Sequence, residues 1–590
     1  MLYLRSATLL YIITQQALAQ FVSLQDAKLT TLDSPHNPNI TISYKVPEGA
    51  CKTAFDAQKQ FTGWVSIPIG DQSINLFFWF VEAREPTPAL TIWLNGGTGG
   101  SSMSGFWQEN GPCEVVEKDK DHLEVKAREW GWDRASNMLY IDMPSVGFSY
   151  TTPIMNGSFD SYNATTIFPP EPVPEWSSPW AFSNGTFSSP NPITNTTTTA
   201  HIVWHLLQAF LSTFPQYNPP SNSSVGINLF AKGTTAPYAP LFASYFHSQN
   251  LALSNGIING CGIDPLSQAQ SYATMAVNNS FHLPLLTPAQ ASAILDAAFH
   301  SPGSSSSCLY SLTFPYQQST SRSLYDINNP SFDPLPNQTH LTYLNTLPFL
   351  SAISSPINFT DFPPLPPVPL NNDPLPAITS LLSQGVRIAL LYSDRDYLCN
   401  WRSGHSTSLT VSSLLPFYSS SFPAADYSPI YTNSSYTGGA TRQFSLLSFS
   451  RIYSAGHFPS FSQAETTFQI FARIILGLSL STVADTCDDE SARAVLQGKE
   501  GAVVNGVWYT SEGDWQLPPG QGQKNDGGGG PGQEEEAAPT TAVMTGIFTT
   551  SIVVPTSRLS SGAVVHGRGG YYSASGLSVV VGALAGLLLL

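Results

Sequence analysis

Two acidic residues and one histidine have the types and positions of a catalytic acid–base pair. Asp394 and Asp396 lie in LLYSDRDYLCNW (Leu390–Trp401), just after an apolar segment, and His457 lies in RIYSAGHFPSF (Arg451–Phe461), before a helical segment. A histidine works as a general base when a carboxylate fixes its tautomer, as in hydrolytic triads. The pattern predicts that Asp396 and His457 pair. The alternatives are a capping role for Asp396 and a surface position for His457.

A glycine-rich loop supplies a second candidate part of such a site. In WLNGGTGGSSMSGFWQENGPC (Trp93–Cys113), glycines at positions 96, 97, 99 and 100 follow an apolar segment. Glycine lets backbone N–H groups approach a ligand closely. A loop of this kind after a strand can form half of an oxyanion hole. The alternative is a tight turn without a chemical role.

The segments that must position these residues alternate between strand and helix patterns. Strands are predicted for Ser73–Ala83, Ala89–Asn95, Asn137–Pro144, Gly226–Ala231 and Val386–Ser393, and helices for His201–Phe214 and Thr466–Leu478. Short apolar runs between turn residues suit a sheet that is covered on both faces. The sequence therefore predicts an α/β fold with a mostly parallel central sheet flanked by helices. Residues 151–199 and 301–376 are rich in Ser, Thr and Pro and are interpreted as insertions with long exposed loops.

Four blocks of the chain resemble, in the right order, those of the serine carboxypeptidase family, closest to its secreted fungal members. The family patterns W-L-N-G-G-P-G-C/S-S-S, D-Q-P-V-G-x-G-F-S-Y, G-D-x-D-x-x-C-N and G-H-x-V-P match the glycine-rich loop, YIDMPSVGFSY (Tyr140–Tyr150) and the two segments around Asp396 and His457. The resemblance covers roughly Val46 to Gly477. It implies an α/β-hydrolase fold with an inserted cap, and release of single residues from peptide C-termini at acid pH.

The resemblance also implies roles for individual residues. The positions that bind the terminal carboxylate of the substrate are matched by Asn95, Gly96 and Glu109. The donors of the oxyanion hole are matched by Gly97 and Thr235, and the triad acid and base by Asp396 and His457. A carboxyl group must be protonated to hydrogen-bond a carboxylate, which favours low pH.

The nucleophile block departs from the family pattern. Where the family has G-E-S-Y-x-G-x-Y-x-P, residues 232–240 read KGTTAPYAP, with no serine. Aligned from the preceding strand, Thr234 takes the nucleophile position; aligned from Tyr238, Gly233 takes it. We prefer Thr234, because the strand fixes where the turn begins. A β-branched threonine suits the strained backbone of a nucleophile elbow poorly, so catalysis is expected to be impaired or lost.

Composition excludes several classes of protein. Charged residues make up 11% of the 590 residues, against about 25% in an average soluble protein. The apolar fraction of 42% allows a large core and argues against disorder throughout. The net charge of −16 would repel a phosphate backbone, so a nucleic-acid partner is not expected. We expect no cofactor and no metal ion.

Both ends of the chain resemble targeting signals. Residues 1–19 combine Arg5, a short apolar run and Ala17-Leu18-Ala19, which predicts a signal peptide cleaved after Ala19. The hydrolase domain is predicted over residues 20–486 and a Gly/Ser/Thr-rich stalk over 487–562. Residues 563–590 end in an apolar tail that is short for a membrane span, which predicts a glycosylphosphatidylinositol (GPI) attachment signal. A buried N-terminal helix and a marginal transmembrane tail are the respective alternatives.

A secretory route gives meaning to sequons and cysteines. Glycosylation is predicted at Asn39, Asn156, Asn163, Asn184, Asn195, Asn222, Asn278, Asn337, Asn358 and Asn433. The six cysteines allow up to three disulfides, and the sequence does not choose among the possible pairings.

Two classes of function remain. The first is a serine-type carboxypeptidase that releases C-terminal residues from peptides, with catalysis weakened by the replaced serine. The alternative is a catalytically inactive glycoprotein of the cell surface that binds peptides or serves the cell wall. A lipase or esterase fits less well, because the loop from Asn95 to Glu109 suits a terminal carboxylate. The expected partners are peptides and, through the lipid anchor, a membrane or cell wall; the oligomeric state is left open.

Overall fold

The short apolar segments form the strands of one large sheet. The structure is a computed structural model that describes residues 28–482 except 96–99, 120–121, 161–164, 175–181, 190–194, 220–225, 252, 261, 301–312, 314–315, 317–319, 332–338 and 362–372, and it also describes residues 523–524. The predicted signal peptide and GPI segment lie outside the described residues, as does the predicted stalk except for residues 523–524.

The strands and helices are as follows. The strands are β1 (Thr30–Ser34), β2 (Asn37–Lys45), β3 (Gln60–Ile69), β4 (Gln72–Val81), β5 (Leu90–Leu94), β6 (Cys113–Asp119), β7 (His122–Ala127), β8 (Asn137–Ile141), β9 (Tyr150–Thr151), β10 (Ile154–Asp160), β11 (Thr165–Ile167), β12 (Phe182–Ser188), β13 (Ile227–Lys232), β14 (Leu253–Asn259), β15 (Arg387–Ser393), β16 (Tyr427–Asn433), β17 (Tyr436–Phe444), β18 (Leu447–Ile452) and β19 (Gln523–Lys524). The helices are α1 (Ser102–Gly105), α2 (Thr196–Thr213), α3 (Tyr238–Ser248), α4 (Pro265–Val277), α5 (Pro288–His300), α6 (Thr339–Leu344), α7 (Leu347–Ile353), α8 (Pro374–Ser383), α9 (Trp401–Ser413), α10 (Pro416–Ser419), α11 (Ser421–Ala424), α12 (Pro459–Ser462) and α13 (Ala464–Ile475).

The large sheet is parallel at its centre and antiparallel at both sides. Its order is β1-β2-β3-β4-β8-β5-β13-β14-β15-β18-β17-β16, and the six strands from β8 to β18 run parallel. The predicted α/β class is therefore confirmed. All five predicted strands and both predicted helices form, with ends shifted by a few residues.

Strand register brings the loops of interest to one edge of the sheet. Leu94 lies opposite Ala231 on the neighbouring strand, and Ser393 lies opposite Ile452. Because parallel strands end at the same edge, the loops after β5, β13, β15 and β18 leave the sheet side by side.

Both faces of the sheet are covered, as continuous apolar strands require. On one face, Phe210 of α2 packs against Phe78 and Phe80, with ring centroids 5.6 and 5.3 Å apart. Asn195 starts that helix, because its side chain accepts a hydrogen bond from the Thr198 N–H at 2.8 Å. On the other face, Phe471 of α13 stacks on Trp132, which precedes β8, with ring centroids 4.1 Å apart.

The first predicted insertion contains more regular structure than its composition indicates. Strands β10, β11 and β12 form a separate three-stranded antiparallel sheet. Phe159 and Phe187 are buried in it with ring centroids 6.2 Å apart. Apolar residues spaced along a polar segment thus suffice to order this part. Within the second predicted insertion, the described residues include helices α6 and α7.

Among the helices that the structure describes, none combines the length and apolar character that crossing a bilayer requires.

Candidate active site

The turn after β13 has the form of an elbow between a strand and a helix. Strand β13 ends at Lys232, residues Gly233–Thr235 form a 3-10 turn, and α3 begins at Tyr238. Gly233 has a φ of +61°, in the left-handed region that side chains rarely adopt. The residue at the sharp point of a nucleophile elbow is held in such a strained conformation. The positive φ therefore falls on Gly233 at the point where the chain turns.

The segment just after the neighbouring strand β14 packs closely against the elbow. A Cβ atom added to Gly260, just after β14, would lie 2.1 Å from the Gly233 carbonyl oxygen and 2.6 Å from the Ala236 Cβ. Only glycine at position 260 leaves room for the turn.

Asp396 and His457 are in direct contact, as the sequence predicts. His457 Nδ1 lies 2.8 Å from Asp396 Oδ2, and both side chains are largely buried. The other carboxylate oxygen of Asp396 accepts a hydrogen bond from the Cys399 N–H at 2.9 Å. The backbone N–H of His457 donates to the Tyr325 carbonyl at 2.7 Å, and the Tyr325 ring packs edge-on against the imidazole. The pair is thus held in the arrangement of a base and its orienting carboxylate.

The same two residues are near a sulfur atom. Candidate ligand atoms of Asp396, Cys399 and His457 lie within 4.8 Å of one another. Cys399 is disulfide-bonded, however, so its sulfur is not a thiolate that could bind a transition metal. This cluster therefore does not fit a metal centre.

Lys232, directly before the elbow, is fully buried against Glu109. Its Nζ contacts Glu109 Oε1, and it also lies 4.0 Å from the centroid of the Phe458 ring, next to His457. Burial lowers the pKa of Lys232, while the charges of Glu109 and Asp396 oppose that change. A buried charge needs a partner of this kind to remain ionised.

Asn95, at the end of β5, is tied to the other side of the elbow. Its carbonyl accepts a hydrogen bond from Thr235 Oγ1 at 2.6 Å, and its N–H donates to Ser102 Oγ at 3.1 Å. Within the part of the chain that the structure describes, the side-chain oxygen of Asn95 and the second carboxylate oxygen of Glu109 are shielded from solvent and have no hydrogen-bond partner. Unpartnered buried acceptors of this kind are costly unless a ligand or water reaches them.

A buried carboxyl group supports the segment after the glycine-rich loop. Asp142 accepts hydrogen bonds from Ser101 Oγ at 2.6 Å, Ser102 N at 2.8 Å and Phe148 N at 2.9 Å. Burial nevertheless raises its pKa to about 7. Gly147 has a φ of +60°, and a Cβ there would lie 2.1 Å from Asp142 Oδ2, so the block around it requires glycine.

The structure brings together most, but not all, of the residues singled out in the sequence. Asn95, Glu109, Thr235, Asp396 and His457 all lie at this edge of the sheet. The predicted positions 96 and 97 lie outside the described residues, and so does the side chain at position 234.

Lys232 and Phe458 are the residues that sequence reasoning missed. A lysine at the end of the apolar segment GINLFAK was the available signal, because a charge is rarely buried without a partner.

Sequon exposure differs among the described asparagines. Asn39, Asn156 and Asn278 are exposed, and Asn184, Asn195 and Asn433 are partly exposed. Asn358 is only 9% exposed; its Oδ1 accepts from Thr186 N at 2.9 Å and its Nδ2 donates to Asn345 Oδ1 at 3.3 Å. This burial does not fit the predicted glycan at Asn358. The sequons at positions 163, 222 and 337 lie outside the described residues.

One disulfide is fully described. Cys51 is bonded to Cys113, which joins the segment before β3 to the start of β6. Cys113 lies four residues after Glu109 in the chain, so the disulfide helps to fix the segment that carries Glu109.

Known proteins share both the sequence blocks and the fold. A family model described as serine carboxypeptidase matches residues 49–346 and 368–477. Carboxypeptidase S1 homolog A of Trichophyton rubrum is 34% identical, over 77% of this chain and 79% of its own length. Carboxypeptidase S1 of Penicillium janthinellum is 29% identical, over 72% of this chain and 97% of its own.

A solved structure supports the same assignment at the level of the fold. The crystal structure of a prohormone-processing carboxypeptidase from Saccharomyces cerevisiae has a TM-score of 0.54 and 18% identity, and the match covers 71% of this chain and 91% of that one. The sheet order, the contact between Asp396 and His457 and these matches lead to one assignment. The chain belongs to the serine carboxypeptidase family and has its α/β-hydrolase fold.

Proposed function

We propose that this protein binds the C-terminal ends of peptides in its carboxypeptidase cleft and does not hydrolyse them efficiently. The observation that carries the proposal is the φ of +61° at Gly233. It supports the alignment that gives Gly233, and not Thr234, the nucleophile position. Glycine has no hydroxyl group, so His457 would have no nucleophile to activate at that position.

A second observation supports the same alignment. The alignment places Lys232 at the position of the family's glutamate. In the structure Lys232 contacts Glu109, the residue matched to the carboxylate-binding site. The retained site is therefore one that can hold a peptide end, while its electrostatic character differs from that implied by the resemblance.

The test is release of amino acids from blocked dipeptides at acid pH, together with labelling by a phosphonate probe for serine hydrolases. We expect neither from the natural protein. Gly233→Ser is expected to gain labelling that depends on His457, because it places a hydroxyl group at the elbow, whereas Thr234→Ser is expected to gain none.

Weak hydrolysis through Thr234 is the second candidate function. The intact hydrogen bond between Asp396 and His457 favours it, since this pair could still activate a hydroxyl group. Release that is abolished both by Thr234→Ala and by His457→Ala would establish this function and contradict the first proposal.

We also infer a location at the cell surface, through the predicted signal peptide and GPI anchor. Cells that express the full chain should release it when treated with phosphatidylinositol-specific phospholipase C. Retention after this treatment, with release of a known GPI-anchored protein in the same cells, would contradict the anchor.

A further inference from the structure

We propose that the Lys232–Glu109 pair makes the cleft a receptor for a neutral primary amide, such as an amidated peptide C-terminus, in preference to a free terminal carboxylate. The inference rests on the proposed function, binding without efficient hydrolysis, and specifies the chemical group that is bound. It arises from the charge and hydrogen-bonding capacity of the pair.

The pair is electrically neutral and shielded from solvent. The side chains of Lys232 and Glu109 are 4% and 2% exposed, and the Lys232 ammonium group is further enclosed by the Phe458 ring. A carboxylate ligand would bring a second negative charge to a site in which the positive charge of Lys232 is already neutralised by Glu109. Burying that charge without its own partner is unfavourable.

The charged side chains that the structure describes around the pair offer no free positive charge to a ligand carboxylate. Asp396 acts on Lys232 as a second negative charge, and it is itself in contact with His457. Arg128 acts on Glu109, but it is ion-paired with Glu114, with Nη1 3.2 Å from Oε2. Among the described residues near the pair, Arg128 and His457 thus each already face a carboxylate.

Hydrogen-bonding capacity indicates what the ligand must offer. Glu109 Oε2 is a buried acceptor that receives no hydrogen bond from any described residue. Lys232 carries three N–H bonds, and its hydrogen bond to Glu109 uses one of them. A primary amide complements both groups, because its N–H donates to the carboxylate and its carbonyl accepts from the ammonium group. A carboxylate or an ester can only accept.

The experiment compares peptides that differ only at the C-terminus. One N-acylated dipeptide is prepared as the primary amide, the free acid and the methyl ester, and binding to the purified protein at neutral pH is measured by calorimetry. We expect the amide to bind at least about tenfold more tightly than the acid or the ester. A free-acid peptide that ends in glutamine shows whether a side-chain amide can replace the terminal one.

Glu109→Gln is the informative variant, because it keeps the shape of the side chain and removes the negative charge that opposes a carboxylate ligand, so that Lys232 can pair with the ligand instead. Its preference should shift towards the free acid. Glu82→Gln is the matched control, since Glu82 forms a partly exposed ion pair with Lys59 at 3.3 Å, with the Glu82 side chain 27% exposed. The control should keep the preference of the natural protein. Circular dichroism verifies that each variant is folded, and the peptide series on the natural protein needs no variant.

The outcomes separate this inference from the proposed function. Equal or tighter binding of the free acid by the natural protein would overturn the amide preference, and so would absence of binding by all the peptides. Mass spectrometry of the peptides after incubation reports hydrolysis independently. Cleavage with an amide preference would overturn only the claim that the protein does not hydrolyse peptides.

Discussion

At the scale of single residues, the site is dominated by buried charges that hold one another in place. Lys232 and Glu109 are almost inaccessible to solvent, so each would be costly to bury alone. Asp394, two residues before Asp396, is also buried, and its Oδ1 accepts a hydrogen bond from Ala455 N at 3.2 Å. Such groups make stability sensitive both to substitution and to pH.

Removing one member of the Lys232–Glu109 pair should destabilise the fold. Lys232→Met leaves the Glu109 carboxylate buried without its counter-charge, so the free energy of unfolding should fall by about 3–5 kcal/mol. Urea denaturation measures this change. The double variant with Glu109→Gln should recover much of the loss. Equal stability of the natural protein and Lys232→Met would show that the pair is not buried as described.

Asp394 should make the protein less stable as the pH rises towards neutrality. Burial raises its pKa to about 7, above the value of about 3.9 for an unfolded chain. Between these values the folded state holds a proton that the unfolded state has lost. The contribution of this group therefore decreases with rising pH by up to about 1.4 kcal/mol per pH unit.

Asp394→Asn tests that slope, because asparagine resembles the protonated carboxyl group and can keep the hydrogen bond from the Ala455 N–H. Unfolding measured across this pH range should show a flatter dependence for Asp394→Asn than for the natural protein. The exposed Asp71→Asn is the control and should leave the slope unchanged. An unaltered slope in Asp394→Asn would contradict the raised pKa.

At the scale of elements, the elbow depends on how closely β13 and β14 approach each other. At Gly260, just after β14, an added Cβ atom would lie 2.1 Å from the Gly233 carbonyl oxygen. Because glycine has no Cβ atom, position 260 leaves room for the neighbouring turn that follows β13. The requirement is a property of two elements and not of the local sequence.

Gly260→Ala should accordingly destabilise the protein by about 1–3 kcal/mol through overpacking. Gly256→Ala, within β14, is a matched control, because its Cβ would lie 3.1 Å from Cδ1 of the Ile388 side chain and 3.8 Å from the Arg387 carbonyl oxygen. Thermal unfolding of both variants gives the comparison. A smaller effect at position 260 than at 256 would mean that the elbow is not packed as described.

Sequence reasoning reached the fold because its signals were local. Short apolar runs predicted β5, β13 and β15, and Asp396 and His457 stood in strongly patterned blocks. The role of Lys232 could not be predicted in this way, since its contact with Glu109 spans 123 positions along the chain. Which residue occupies the turn of the elbow likewise depended on a backbone angle, because two alignments of KGTTAPYAP were compatible with the sequence.

At the scale of the whole molecule, a weakly charged protein presents a mixed set of sequons. Charged residues are 11% of the chain, so attached sugars would add much to the polar surface. A glycan requires that the side-chain nitrogen of its asparagine be accessible. Among the sequons that the structure describes, the exposed residues Asn39, Asn156 and Asn278 meet this requirement, and Asn358 does not.

Site occupancy should follow this exposure. In protein secreted from a eukaryotic host, we expect glycans at Asn39, Asn156 and Asn278 and none at Asn358, whose Nδ2 is directed to Asn345. Enzymatic removal of glycans in heavy-oxygen water, followed by peptide mass spectrometry, marks each occupied asparagine. The same peptides from protein made in a host without glycosylation are the control. A substantially occupied Asn358 would contradict its buried position, because the sugar would be attached to the Nδ2 that donates to Asn345, beside the Oδ1 that accepts from Thr186 of the small sheet.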